Sequence, residues 1–310
     1  MVYYGGSKMP RRTYGLLEDH IINIFRKDGL FTYHGKICEV IEAGKPRPQS
    51  AGGECKTDVF VRAKTQDIGE EFDIKISVKN INKEFMGNKL KKEDVEAYIG
   101  SDWEKVLIEA TTSMRTSFEN RVLMYASGHY PTKPNSVTVG WKLEIADRPR
   151  ALSAPIPLSD RQIRDYIYKG TNQTLDKRDS IVNGRVIPNS GVADYLIVTC
   201  MEDIKTANDV IGQMQLIDNA DIGDTYFIFT ANNYRTDVQT ADGPRFLAVR
   251  IEWEVRNGKM IPNFRYDHPL EYTGERDMAP LVCRALKCLG KLNVTDINPG
   301  VDVDEDLFEE

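Results

Sequence analysis

The amino-acid sequence predicts a mixed α/β (α+β) fold, with an early core of one helix and one hairpin and a C-terminal half that is richer in strands. Three observations support this prediction. Residues 13–27 have the apolar spacing of an amphipathic helix. Residues 57–62 and 72–80 alternate between apolar and polar side chains as strands do. Further strand-like runs follow after residue 136.

The chain is expected to divide within residues 130–157, because five of its fourteen prolines lie there. This predicts an N-terminal core of residues 1–130 and a β-rich half of residues 131–301. Residues 302–310 are acidic and are expected to form a solvated tail. A chain of 310 residues is long enough for one large domain or for a core with one sizeable addition.

The first predicted helix has an apolar stripe that contains Leu17, Ile21 and Ile24. Gly29 favours an end to this helix close to Lys27. A short strand is expected at 36–42, and a loop rich in glycine and proline follows it.

Residues 57–62 (TDVFVR) and 72–80 (FDIKISVKN) are joined by a polar segment, which predicts an antiparallel hairpin. On the second strand Ile74, Ile76 and Val78 share one face, and we expect this face in the core. The polar side chains of the opposite face are Asp73, Lys75, Ser77 and Lys79. A turn centred near residue 68 would bring Asp58 opposite Ser77 and Lys79.

The remaining elements are predicted from capping patterns and apolar runs. A helix is expected to begin at Ser101, with a stripe of residues spaced four apart, and a second short helix is expected at 160–169. The stripe consists of Val106, Ala110, Met114 and Phe118. The strand-like runs of the second half are 137–145, 195–200, 226–230 and 246–255.

Composition excludes several classes of protein. A net charge of −6 is untypical of a non-specific nucleic-acid coat protein, although one basic face would still suffice for a DNA enzyme. The five cysteines include no CxxC pair, which argues against a disulfide scaffold or a structural zinc site. No run approaches the roughly 18 apolar residues of a membrane helix, and the first residues lack a secretory apolar region. We therefore expect a cytoplasmic protein with no membrane partner.

Asp58, Ser77 and Lys79 form a pattern that suits hydrolysis of a phosphodiester. Aspartate offers the hard oxygen ligands that Mg²⁺ prefers. A lysine beside the metal can orient the attacking water or stabilise charge on the phosphate. The alternative is a polar hairpin face that is simply exposed to water.

The spacing of Asp58 from Ser77-Val-Lys79, preceded by GGECKT, resembles the PD-(D/E)xK nuclease superfamily, and type II restriction endonucleases in particular. The resemblance implies a restriction-endonuclease-like core, in which a mixed central sheet is flanked by helices and one or two Mg²⁺ ions bind. Asp58 matches the metal-binding aspartate and Lys79 the catalytic lysine. Glu18, in the first helix, matches an acidic residue that often joins the metal site. The likeness is clearest over residues 13–90.

Two positions depart from the pattern of this superfamily. Ser77 stands where the pattern has Asp or Glu two residues before the lysine, so we expect Glu18 to supply the missing carboxylate. Variants with S-x-K occur among restriction-type nucleases. Thr57 precedes Asp58 where the pattern has proline.

A second register of the hairpin stays open. Asp73-Ile-Lys75 is a literal D-x-K on the same strand face, and it would pair with Asp58 around a tighter turn. We favour Lys79 as the catalytic lysine because the apolar strand continues through Val78. Glu54 is another possible carboxylate donor, or else an ordinary loop glutamate.

Basic and amide side chains that could contact DNA lie in three further stretches. They are Asn80, Asn82, Lys83, Asn88 and Lys89 after the hairpin, Arg161, Arg164, Lys177 and Arg178 around the predicted 160–169 helix, and Arg235 in an Asn/Arg-rich segment predicted to be a loop. Each of them alone could equally be a surface residue.

Together these features predict a Mg²⁺-dependent, site-specific double-stranded DNA endonuclease, with recognition assigned to residues 131–301. Cutting both strands of a symmetric site usually needs two centres, so a homodimer is expected. Three alternatives remain: a structure-dependent, phage or repair nuclease with the same core, an inactive DNA-binding module, and a structural protein with no nucleic-acid role.

Overall fold

The computed structural model describes residues 15–50, 53–81, 90–128 and 131–310, and the backbone of residues 85–87. The fold is mixed α/β, as predicted. Asn82, Lys83, Asn88 and Lys89, four of the residues predicted to contact DNA, lie outside the residues described at side-chain level.

Helices and strands follow one another along the whole described chain. The α-helices are α1 (Leu16–Asp28), α2 (Lys92–Ile99), α3 (Trp103–Ser113), α4 (Arg115–Glu119), α5 (Asp160–Gln162), α6 (Leu175–Arg178), α7 (Ala207–Gln213) and α8 (Ala279–Cys288). Strands β1 to β9 are Leu30–Tyr33, Lys36–Gly44, Val59–Thr65, Glu71–Asn80, Phe85–Gly87, Met124–Tyr125, Ser136–Ala146, Ser153–Pro155 and Ser180–Val182. Strands β10 to β17 are Arg185–Ile187, Tyr195–Thr199, Gln215–Leu216, Tyr226–Arg235, Thr240–Ala241, Val249–Arg256, Lys259–Arg265 and Phe308–Glu309. A π-helix at Ile163–Lys169 directly follows α5. A second π-helix, at Gly274–Met278, directly precedes α8.

The chain forms two compact units, and each is made of two separate segments. Unit 1 contains residues 1–83 and 160–222, and unit 2 contains residues 84–159 and 223–310. This division differs from the predicted boundary within residues 130–157. The physical reason is that β11 pairs in parallel with β4, which returns a late segment of the chain to the first sheet.

The sheet of unit 1 has the strand order β1-β2-β3-β4-β11-β12. Its pairs are antiparallel except for the parallel pair of β4 and β11. Helix α1 ends at Gly29, whose φ of 68° suits glycine, and this end agrees with the prediction. Ile21 and Phe25 of α1 belong to the same buried cluster as Ile74 and Ile76 of β4. The predicted core face of the hairpin is therefore confirmed.

Ile76→Ala is expected to lower the free energy of unfolding by about 2–5 kcal/mol, because Ile76 is fully buried and its loss leaves a cavity. Ile68→Ala, in the turn of the same hairpin, is the matched control. Ile68 is 67% exposed, and its replacement should change stability by no more than about 0.5 kcal/mol. Urea unfolding followed by circular dichroism measures both values. Equal effects of the two substitutions would contradict the described packing.

Unit 2 is built on a sheet whose main path is β14-β13-β7-β15-β16. The predicted stripe on its helical segment is confirmed only at Phe118, because α3 ends at Ser113 and α4 begins at Arg115, and this break interrupts the spacing of four. The buried side chains are Leu107, Thr111 and Phe118, whereas Val106, Ala110 and Met114 are half-buried. Phe118 packs on Trp141 with 4.9 Å between the ring centroids.

Residues 302–310 do not form the predicted solvated tail. Asp302 is buried and forms an ion pair with Lys291 at 3.1 Å. Strand β17 pairs in parallel with β6. A short acidic segment contains no sequence pattern that predicts pairing with a distant strand. From its composition alone it is therefore predicted to be a solvent-exposed tail. Separately, none of the described helices has the length and apolar character needed to cross a membrane.

Candidate active site

Asp58 lies directly before β3, at the end of the hairpin. Val59 pairs with Ile76, so Asp58 stands opposite Ser77, as the preferred register predicted. The Asp58 amide donates to the Ile76 carbonyl at 2.9 Å, and the Val78 amide donates to Asp58 Oδ2 at 2.8 Å. These two bonds hold the carboxylate at the strand end. Among the described residues none donates a hydrogen bond to its other oxygen.

The tighter turn of the second register does not form. Asp73 lies opposite Arg62 and receives two hydrogen bonds from its guanidinium, at 2.8 and 2.9 Å. Lys75 forms an ion pair with Asp194 at 3.1 Å. Asp73 and Lys75 therefore have partners of their own and are not paired with Asp58.

Glu18 and Lys45 complete the surroundings of Asp58. Glu18 is in the first turn of α1, and Lys45 directly follows β2. The Lys45 ammonium forms a short ion pair with Glu18 Oε2. The Glu18 charge in turn contributes to raising the pKa of Asp58, so both carboxylates belong to one electrostatic cluster. The resemblance pointed to Glu18 but not to Lys45, whose only signal was a basic residue in a Gly/Pro-rich loop.

Burial dominates the electrostatics of this cluster. Burial raises the pKa of Asp58 to about 6 despite the nearby ammonium groups of Lys79 and Lys45. Burial also lowers the pKa of Lys79, and the charge of Lys56 acts in the same direction. For Lys45, burial would lower the pKa, but the bond to Glu18 outweighs it and the pKa is raised. The site therefore holds charged groups of both signs, and burial and neighbouring charges together set the pKa of Asp58, Lys79 and Lys45.

The donor set suits a hard cation with few protein ligands. In the part of the chain that the structure describes, no group of three or more His, Cys, Asp or Glu could hold a metal ion. Mg²⁺ commonly uses one or two carboxylates and completes its shell with water and phosphate oxygens. Asp58 and Glu18 fit that requirement. Ser77, only 2% exposed, adds no charge, and the exposed Glu54 is within electrostatic range of Lys45 and Lys79.

Two glycines allow the segment after the π-helix to approach the loop that precedes Asp58. A side chain at Gly53 (φ 80°) would lie 2.8 Å from Lys177 Nζ. A side chain at Gly170 (φ 76°) would lie 2.6 Å from Lys56 Cγ. Lys177 therefore lies beside the loop that precedes Asp58, and Lys56 lies beside Gly170, all within unit 1. Lys56 was not singled out from the sequence, because a lone lysine in GGECKT carries no pattern.

The other predicted DNA contacts of unit 1 are on its surface or partly covered. Arg161 is exposed, with its Nε 3.7 Å from an oxygen of Asp165. Arg164 donates to the Ala220 carbonyl at 3.1 Å. Arg178 is half-buried, and Asn80 is the last residue of β4.

Arg235 does not lie in the predicted loop. Residues 232–235 are part of strand β13 in unit 2, where Asn232 is fully buried and Asn233 is 7% exposed. Side chains buried at that level do not reach base edges, so the predicted recognition loop at this segment is wrong. Arg235 itself is half-buried.

No family model matches this chain, and no curated protein or solved structure is significantly similar to it. The likeness to PD-(D/E)xK nucleases is therefore carried by the residues of the hairpin and of α1 alone.

Proposed function

We propose that this protein is a Mg²⁺-dependent endonuclease that cuts double-stranded DNA in the manner of type II restriction enzymes. One observation supports this proposal most directly. The hairpin brings the Asp58 carboxylate and the half-buried Lys79 to the same strand end, and the Glu18 charge acts there as well. Carboxylates beside a partly desolvated cation are the chemical groups that phosphodiester hydrolysis needs.

Asp58 and Glu18 are the residues that would hold Mg²⁺. When bound, the ion would polarise the phosphoryl oxygen, stabilise the leaving group and help to form hydroxide from water. Asp58 is suited to this role because the amide of Val78 fixes one of its oxygens.

Lys79 would stabilise the charge that develops on the phosphate. Lys79 is half-buried and partly desolvated, and an electrostatic interaction is stronger where water is excluded. Because burial lowers its pKa, Lys79 loses its proton at a lower pH than an exposed lysine does. Ser77 would orient the phosphate or a water by a hydrogen bond.

Basic side chains of unit 1 would bind the DNA backbone. They are Lys56, Arg161, Arg164, Lys177 and Arg178, all in the unit that contains the hairpin. Contacts to phosphates position the duplex without reading its sequence. They require only a local basic surface, so the net charge of −6 does not conflict with them.

The finer fold proposed for unit 1 is a restriction-endonuclease-like core. Helix α1 packs against the hairpin, and β11 extends the sheet in parallel beyond β4, giving a mixed sheet with a helix on its face. A homodimer is proposed as well, since each chain offers one such centre and a duplex has two strands.

Incubation of a linear phage genome with the protein tests this function. Discrete fragments in Mg²⁺ buffer, absent in EDTA, are expected. Scattered or structure-dependent cuts would support the same hydrolytic reaction but would indicate a phage or repair nuclease instead of a restriction enzyme. Salt-dependent binding without cutting in any divalent ion would identify an inactive DNA-binding module, and absence of both would overturn the proposal.

A further inference from the structure

We propose that Lys45 acts as a built-in counter-cation, which occupies the cation position of the Glu18–Asp58 pair and must leave Glu18 when a divalent metal ion binds. This inference rests on the proposed function, because it presumes that the two carboxylates are metal ligands. It adds a residue that positions one of those ligands and sets the affinity of the site.

The geometry identifies Lys45 as the group that would compete with a metal ion for Glu18. Its ammonium is bonded to Glu18 Oε2 and acts electrostatically on Asp58. Glu18 is the carboxylate expected to replace the one missing at Ser77. A metal ion that uses both oxygens of Glu18 therefore meets the Lys45 ammonium already in place.

The charges of the cluster support the same conclusion. Glu18 and Asp58 carry two negative charges, and Lys45 and Lys79 carry two positive charges, so these four groups are neutral together. Adding a divalent cation without moving an ammonium would place excess positive charge in a partly buried site, which is unfavourable.

Of the two lysines, Lys45 is the one that can withdraw. Lys79 is held in the middle of the sheet, since β4 is paired on both sides. Lys45 lies just beyond the end of β2, with a side chain that is 35% exposed. Its long side chain can swing into water or onto a phosphate oxygen of bound DNA. Binding of the metal ion would thus free the Lys45 ammonium to contact a phosphate of the DNA.

Binding of Mn²⁺ to the full-length protein without DNA, followed by electron paramagnetic resonance, tests this inference. Lys45→Met should bind Mn²⁺ at least about fivefold more tightly than wild type, because the competing ammonium is gone. Lys45→Arg, which keeps the charge, should stay within about twofold. Lys64→Met is the matched control. Lys64 forms an ion pair with Glu39 at 3.2 Å, and it lies six positions after Asp58 along the strand, about 20 Å away.

The outcomes separate this inference from the function on which it rests. Tighter binding by Lys45→Met, with Lys64→Met unchanged, supports the counter-cation. Wild-type binding that Asp58→Asn abolishes, but that Lys45→Met leaves equal or weaker, overturns the role of Lys45 and leaves the metal site standing. Absence of Mn²⁺ binding in wild type and in Lys45→Met overturns both.

Discussion

Asp58→Asn is expected to abolish DNA cleavage and, at the same time, to make the metal-free protein more stable. Cleavage should fall by about 10³-fold or more, because the carboxylate that would hold the metal is lost. Stability should rise by about 1–3 kcal/mol at pH 8, because an ionised, largely desolvated carboxylate is replaced by a neutral amide. The amide oxygen can still accept the hydrogen bond of Val78.

The sign of this effect follows from the pKa of Asp58. Its pKa in the folded protein is about 6, above its ordinary value of 3.8, so the folded state binds the proton more tightly than the unfolded chain. Wild-type stability therefore decreases as pH rises from about 4 to 6, and the full cost is present above pH 6. The gain from Asp58→Asn should be largest at pH 8 and nearly absent at pH 4.

Urea unfolding in EDTA at pH 8 and pH 4 measures this difference. Asp73→Asn is a suitable control, because it also removes a carboxylate from the same hairpin but takes away one of the two oxygens that accept from Arg62, together with the charge of the pair. It should give no gain in stability at pH 8. A destabilised Asp58→Asn protein, or a gain that is equal at both pH values, would contradict the burial described for this carboxylate.

Lys79→Met is expected to reduce the rate of DNA cleavage by about 10²- to 10⁴-fold without weakening Mn²⁺ binding. The reason is that the Lys79 ammonium would act on the phosphate and the attacking water, whereas Asp58 and Glu18 would bind the metal. Methionine has nearly the same length as the lysine side chain and tolerates burial, so the strand should keep its structure.

Lys75→Met is the matched control, since Lys75 lies four residues before Lys79 on the same face of β4 and pairs with Asp194. Single-turnover cleavage of a defined duplex should separate the two variants by at least about tenfold. Loss of cleavage in Lys75→Met together with retention in Lys79→Met would support the rejected register of the motif.

Local patterns carried most of the correct structural predictions. The alternation of Ile74, Ile76 and Val78 is fixed by the two-residue period of a strand, and the register follows from the length of the turn. The end of α1 depends on a glycine that adopts a left-handed φ. Such features need only neighbouring residues, so one sequence is sufficient to predict them.

Features that depend on distant contacts were missed. Lys45 became part of the site only because the end of β2 lies beside α1, and no spacing in the sequence encodes that meeting. The pairing of β17 with β6 and of β11 with β4 likewise joins segments far apart in the chain. The pairing of β11 with β4 determines the division into units, for which the proline content was misleading. The pairing of β17 with β6 determines the structure of residues 302–310, for which the acidic charge was misleading.

Unit 1 is made of two segments that are far apart in the sequence, so its sheet cannot be completed until the second segment has been translated. Roughly 115 residues are translated between the end of β4 and the start of β11, which takes on the order of ten seconds at common ribosomal rates. During that time the open side of β4 has no native neighbour, although unpaired strand edges invite association with other chains. We expect the two lysines of β4 to protect the nascent polypeptide during this interval, because charged side chains on an unpaired edge strand discourage aggregation.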